Sequence, residues 1–171
     1  MNKILKIAAW KINVLEKYLF PLALLAARLH VGAIFWRSGV TKQVNLDAAV
    51  KLFKSEYLPA WEKNHIKDFF GLKIPFPVPD AVFGTYAACS MELLCAALLI
   101  VGLAGRAAAF GVFMLTLSIE LFVYPGTADH LNWMLLMAVI ITAGPGKISL
   151  DYFIRRKLLK PGLYDKIVDV H

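Results

Sequence analysis

The sequence predicts an all-α membrane protein, a four-transmembrane-helix bundle with an amphipathic helix in the first extracytoplasmic loop. Three observations carry that expectation. Fifty-nine per cent of the 171 residues are hydrophobic and mean hydropathy is +0.62, which is more apolar than a water-soluble domain of this length can cover. Four apolar runs each approach the roughly 20 residues that cross about 30 Å of hydrocarbon. Lysine and arginine fall unevenly on the two sides those runs define. The length suits a single domain over residues 1–171.

At the start of the chain, apolar residues alternate with Lys3, Lys6, Lys11 and Lys17 around Trp10. That pattern suits a basic amphipathic segment lying on a membrane face. A cleaved signal peptide is rejected, because the apolar run that follows is too long and lacks a small-residue cleavage site. Spans are expected at Leu19 to Val40, Ala81 to Leu103, Ala107 to Tyr124 and His130 to Ala143. Breakers separate them: Pro75, Pro77 and Pro79 precede the second, and Gly102 to Arg106 turns into the third. Pro125-Gly126 and Gly144-Pro145-Gly146 end the last two. In the first loop, Leu46, Val50, Phe53 and Tyr57 recur at helical spacing opposite Asp47, Lys51, Lys54 and Ser55, which marks the amphipathic helix. Trp61 to Phe70 is a weaker helical stretch.

Four spans place both termini and the Gly102–Arg106 turn on one side. That side carries Lys3, Lys6, Lys11, Lys17, Arg106, Lys147, Arg155, Arg156, Lys157, Lys160 and Lys166. The other carries Lys42, Lys51, Lys54, Lys63, Lys67 and Lys73, offset by Asp47, Glu56, Glu62, Asp68, Asp80 and Asp129. Basic excess marks the cytoplasm, so both termini are expected inside. The net charge of +7 then reflects topology and anionic lipid. No nucleic-acid motif accompanies it, and no nucleic-acid partner is expected.

Ionisable residues within a span are costly and need a partner or a task. Arg28 and Glu92 fall near mid-membrane when counted from the expected span ends, and so form a candidate intramembrane polar centre. Two readings stand: a salt bridge that fixes helix register, or a centre that binds a headgroup, a quinone or a proton. Arg28, Gly32, Phe35, Gly39 and Lys42 share one stripe, on which Gly32 and Gly39 would let a neighbouring helix pack closely. Thr116, Glu120 and Tyr124 form a polar stripe on the third span. With Arg37, Asp129, His130 and Trp133 the latter two compose a candidate outer-leaflet cluster. It reads either as a pocket roofed by the loop helix or as an interfacial network satisfied by water and headgroups. The His and carboxylate spacing suits no metal site. Cys89 and Cys95, about 9 Å apart on one helix, are too distant for a disulfide and read as small buried hydrophobes.

Arg28-x-x-x-Gly32-x-x-Phe35-x-x-x-Gly39-x-x-Lys42, Glu92-Leu-Leu, Gly102-Leu-Ala-Gly-Arg106 and Gly144-Pro-Gly-Lys-Ile-Ser-Leu-Asp151 resemble the DoxX family of small membrane proteins over about residues 20 to 155. The segment from Phe35 to Lys42, Tyr124-Pro125 and Asp129-His130 with Trp133 are most similar to a subgroup encoded beside enzymes that mature copper-binding peptides. The stretch from Ala60 to Phe76 is longer than that subgroup's usual connection.

The resemblance implies a four-helix protein of the bacterial inner membrane. It also implies a non-catalytic or quinone-associated component of a redox or copper-stress and peptide-maturation pathway, with a quinone or copper as the candidate cofactor. A membrane or periplasmic protein partner goes with that reading, beside the lipid bilayer. The alternatives are a scaffold or chaperone, or a subunit of a small exporter that would need a homo-oligomer to enclose a path. Catalysis by the chain alone is not expected: it has no nucleophile–base pair, Gly-rich nucleotide loop, haem or flavin motif, or thiol pair.

Overall fold

The computed structural model describes residues 10–69 and 72–158, so Lys3, Lys6, Lys160 and Lys166 of the basic flanks lie outside the described residues. In chain order the elements are α1 (Trp10–Val44), α2 (Leu46–Leu52), α3 (Leu58–Asn64), β1 (Ile66–Phe69), β2 (Leu72–Pro75), α4 (Ala81–Val101), α5 (Gly105–Phe122), α6 (Ala128–Ala143) and α7 (Leu150–Leu158). Helices α1, α4 and α5 are long and apolar enough to cross a membrane. Their outward faces carry Leu22, Phe83, Leu94 and Phe110, all exposed, as helices sheathed by lipid tails require. Helix α6 has 16 residues, about 24 Å at 1.5 Å per residue, and is shorter than the other three.

Several boundaries differ from those the sequence suggests. Residues 10–17 form no separate surface segment; they continue helically into the first long helix. A π-helical turn at Leu15–Leu19 directly precedes Pro21. A proline ring collides with the carbonyl four residues back, and a widened turn relieves that collision. The Trp61 to Phe70 stretch is helical only to Asn64. Beyond it, Ile66 pairs with Pro75 and Phe69 with Leu72 in an antiparallel hairpin. The third helix ends at Phe122, so Tyr124 leaves the stripe it was expected to share with Glu120.

Local signals fix the ends of α4. The Asp80 carboxylate caps its start, accepting from Val82 N at 3.0 Å and Phe83 N at 2.9 Å. Gly102 ends it at φ +75°, the left-handed conformation that favours glycine. Packing in lipid relies on close van der Waals approach, and the glycines provide it. A Cβ on Gly32 would lie 2.8 Å from Ile100, one on Gly39 2.7 Å from Leu93, and one on Gly111 2.7 Å from Cys95 Sγ. Helices α1 and α4 are therefore antiparallel neighbours in fixed register, with α5 against the far side of α4. Leu24, Val31, Phe35, Cys95, Ala96, Leu99, Ala109, Val112, Met137 and Ile140 form the core between the four long helices. Cys89 and Cys95 are buried free thiols.

Candidate functional site

The register of α1 against α4 decides which charges meet. Each residue further along α1 faces one earlier along α4, so Gly39 lies on Glu92 and Leu93 while Arg28 falls at Gly102. Arg28 and Glu92 consequently do not pair. Arg28 sits at the level of the α4–α5 turn, and not at the mid-membrane depth expected from a first span of Leu19 to Val40.

Arg28 belongs instead to a fastening at that end of the bundle. It is fully buried, and its Nη2 donates to the Ile148 carbonyl. Its Nε and Nη1 have no hydrogen-bond partner among the described residues, and the nearby Asp151 carboxylate supplies opposing charge. Asp151 accepts from Ala104 N and Gly105 N, both at 2.8 Å, and returns its own N–H to the Gly102 carbonyl at 2.9 Å. Two of the first N–H groups of α5 are thus satisfied by one carboxylate at the positive end of its dipole.

Glu92 is paired with Lys42. Lys42 Nζ lies 2.6 and 2.7 Å from the two carboxylate oxygens and 2.8 Å from Ser38 Oγ, so all three ammonium protons are engaged. Glu92 is buried, and the Lys42 side chain is only 21% exposed. Lys42 was legible as a stripe member; what was missed was its partner. The signal lay in the two glycines, which set the register that brings Lys42 within reach of Glu92.

Nearer the other end, Glu120 gathers the α5–α6 turn. Its carboxylate accepts from Gly126 N at 2.5 Å, Thr127 N at 3.4 Å and His130 Nδ1 at 2.8 Å. The His130 ring centroid lies 5.5 Å from that of Trp133, which in turn meets Phe35 edge-on at 5.7 Å. Tyr124 turns away to donate to Glu56 Oε2 at 2.9 Å. Desolvation, reinforced by that carboxylate and by Tyr57, pushes its phenol up to about 12. Arg37 and Asp129 are exposed, and neither joins the hydrogen bonds of Glu120 and His130. Of the expected outer cluster, Glu120, His130 and Trp133 therefore come together; Tyr124 is adjacent, and Arg37 and Asp129 stand apart.

One cavity of about 830 Å³ is lined by Lys42, Glu92, Tyr124, His130 and Trp133. Its walls are otherwise mostly apolar, with Ile34, Phe35, Ala88, Met91, Met114 and Leu115 among them. Ala48, Ala49, Leu52, Phe53, Tyr57 and Trp61 from the loop helices line it as well. The loop is held by specific contacts. Phe53 packs on Gly84, where a Cβ would lie 2.7 Å from its ring. Trp61 stacks on Phe122 with centroids 4.4 Å apart, and Asn64 Nδ2 donates to the Phe122 carbonyl at 3.2 Å. The side chains of Leu46, Val50, Phe53 and Tyr57 are more buried than Asp47, Lys51, Lys54 and Ser55. A large apolar chamber with a few converging polar groups is suited to an amphiphile with a ring or headgroup at one end. Among the described residues, no group of three or more His, Cys, Asp and Glu side chains could hold a metal ion.

A family model described as DoxX matches residues 23–125, more than half of the chain. No curated protein and no solved structure matches it.

Proposed function

The chain belongs to the DoxX family, and on that footing we propose that it is a non-catalytic, quinone-associated component of a redox or copper-stress pathway in the bacterial inner membrane. It is an integral membrane protein in contact with lipid through its long apolar helices. In this reading α6 is the fourth span, somewhat short for the bilayer, and a local adjustment of a few ångströms accommodates it. Both termini then face the cytoplasm with Arg106, Lys147, Arg155, Arg156 and Lys157, as the distribution of basic residues favours. The loop helices lie at the periplasmic face, where a membrane or periplasmic partner would dock.

The observation that carries the proposal is the cavity. Two polar pairs from different helices, Lys42–Glu92 and Glu120–His130, each present a member to the same apolar chamber. A salt bridge whose only task was register would need no chamber beside it. The volume lies in the range that encloses a drug-sized ligand, and a quinone ring with the start of its tail is of that size. The copper-peptide connection rests on the likeness of the Phe35–Lys42 segment and of Asp129-His130 with Trp133 to the subgroup described above.

The test is extraction of the protein in its own lipids, followed by mass spectrometry of what stays bound and by a fluorescence titration with decyl-benzoquinone in nanodiscs. Retained quinone and saturable quenching of tryptophan emission are expected, both weakened severalfold in Lys42→Met/Glu92→Met. A folded protein that retains no quinone and shows no saturable quenching overturns the reading; retention of only another polypeptide would favour a scaffold.

A further inference from the structure

The hydrogen-bond inventory of the cavity specifies what kind of head it accepts. Glu120 faces three N–H donors: Gly126 N at 2.5 Å, Thr127 N at 3.4 Å and His130 Nδ1 at 2.8 Å. A carboxylate in that setting only accepts, so the proton of the neutral imidazole resides on Nδ1. The second nitrogen, Nε2, is then a bare lone pair. Among the described residues no donor reaches it, and His130 lines the cavity while being only 8% exposed. Trp133, 5.5 Å away between centroids, supplies a flat neighbour for an aromatic head.

Hydroxyls in the same walls are biased the same way. Thr85 donates its proton to the Ala81 carbonyl at 2.7 Å, Ser118 to Met114 at 2.8 Å and Tyr124 to Glu56 at 2.9 Å. Each is left with lone pairs. Donors share these walls, in the Trp133 indole N–H and the Asn45 amide, so the selection rests on the His130 Nε2 lone pair.

Resting on the reading of this cavity as a ligand site, we propose that His130, oriented by Glu120, selects an amphiphile whose head bears a hydroxyl donor: a long-chain phenol or hydroquinone in preference to its acceptor-only counterpart. His130 is a specificity-determining residue in this assignment and Glu120 a positioning residue that fixes its tautomer. A polar head that leaves Nε2 unmatched loses that hydrogen bond and desolvates the nitrogen without return.

The full chain in nanodiscs is titrated with 4-decylphenol and with its methyl ether, both redox-inert, following tryptophan fluorescence. The phenol is expected to bind at least tenfold tighter than the ether. In His130→Ala the two should bind within threefold of one another, with thermal unfolding confirming an intact bundle. Glu120→Gln can keep Gly126 N–H on its carbonyl oxygen and turn its amide N–H to Nδ1. The ring proton then moves to Nε2, so the phenol advantage should shrink and decyl-benzoquinone should bind at least fivefold tighter than it does to the unaltered protein. A purely structural turn contact would change stability without moving these ratios. If the unaltered protein binds phenol and ether equally, the hydroxyl selectivity is overturned while the cavity reading stands. If it binds none of the three probes, both are overturned. Should Glu120→Gln fail to fold, the phenol-to-ether ratio of His130→Ala alone decides.

Discussion

Lys42 Nζ sits 2.6 and 2.7 Å from the two oxygens of Glu92, spanning the α1–α4 contact beside the closest approach of the helices at Gly39. Two charges withdrawn from water attract strongly, yet their desolvation offsets much of that gain. The loss is therefore expected to be lopsided. Lys42→Met leaves Glu92 buried and uncompensated, at a cost of about 3 kcal/mol. Lys42→Met/Glu92→Met removes both charges and should recover most of that loss. Thermal unfolding of the three proteins in detergent checks this; equal destabilisation by the single and double changes would contradict it.

Gly102 and Gly126 both have positive φ but differ in what surrounds them. At Gly126 nothing lies within 4 Å of a built Cβ, whereas at Gly102 it would strike the Arg28 guanidinium and lie 2.7 Å from Ser149 Cβ. Gly126→Ala should cost about 1 kcal/mol, the strain of the left-handed backbone alone. Gly102→Ala adds displacement of a buried guanidinium and should cost about 3 kcal/mol or more. Parallel thermal melts provide the comparison.

Phe53 is the buried anchor of the loop, seated on Gly84. Phe53→Ala should loosen residues 46–64 while leaving the long helices in place, because it removes the loop's buried contact with α4 and leaves Trp61, stacked on Phe122, as the large anchor on α5. Hydrogen exchange is expected to rise across that stretch and not across residues 105–122. Ligand affinity for the cavity should fall, since the loop supplies part of its wall.

Tyr124 offers a pH handle outside the spans. Its phenol is pushed up to about 12 by desolvation and then by its hydrogen bond to Glu56. An unfolded tyrosine titrates near 10, so the folded form holds its proton more tightly. The stability from this contact is complete below about pH 10 and is lost as pH rises toward about 12. Phenolate absorbance, read as the difference between the protein and Tyr124→Phe, should show the late titration. Glu56→Gln should move it earlier.

Much of the architecture was legible because membrane helices announce themselves. Long apolar runs, the Gly102 turn and the Gly32–Gly39 stripe each rest on local chemistry and reappear in the structure. Pairing across helices was less accessible. Counting depth from the ends of hydrophobic runs put Arg28 opposite Glu92, because hydropathy does not show that the helix runs on to Val44 and that the part packed against α4 begins only near Arg28. Glycine contacts, not hydropathy, set the register, and a shift of about four turns along α1, from Arg28 to Lys42, changed the partner of Glu92. The hairpin after Asn64 was hidden for a different reason: Ile66 and Ile74 suit a strand, but so short an apolar stretch reads equally as helix. His130 and Glu120 were recognisable as neighbours since they lie ten positions apart across the α5–α6 turn. Arg37 and Asp129 shared their expected depth but not their direction.

Arg28 and the carbonyl that receives its guanidinium are 120 positions apart in the chain. At ribosomal speeds of roughly 5–20 residues per second, the first helix is made and presented to the membrane about ten seconds before Ile148 exists. For that interval a cation destined for complete enclosure has no protein acceptor, and the open bundle must wait with its seam unclosed. The last stretch of translation is therefore the step that locks the first helix. A nascent chain halted before Ile148 should be recognised by quality-control proteases as unfinished, even with its long hydrophobic segments already inserted.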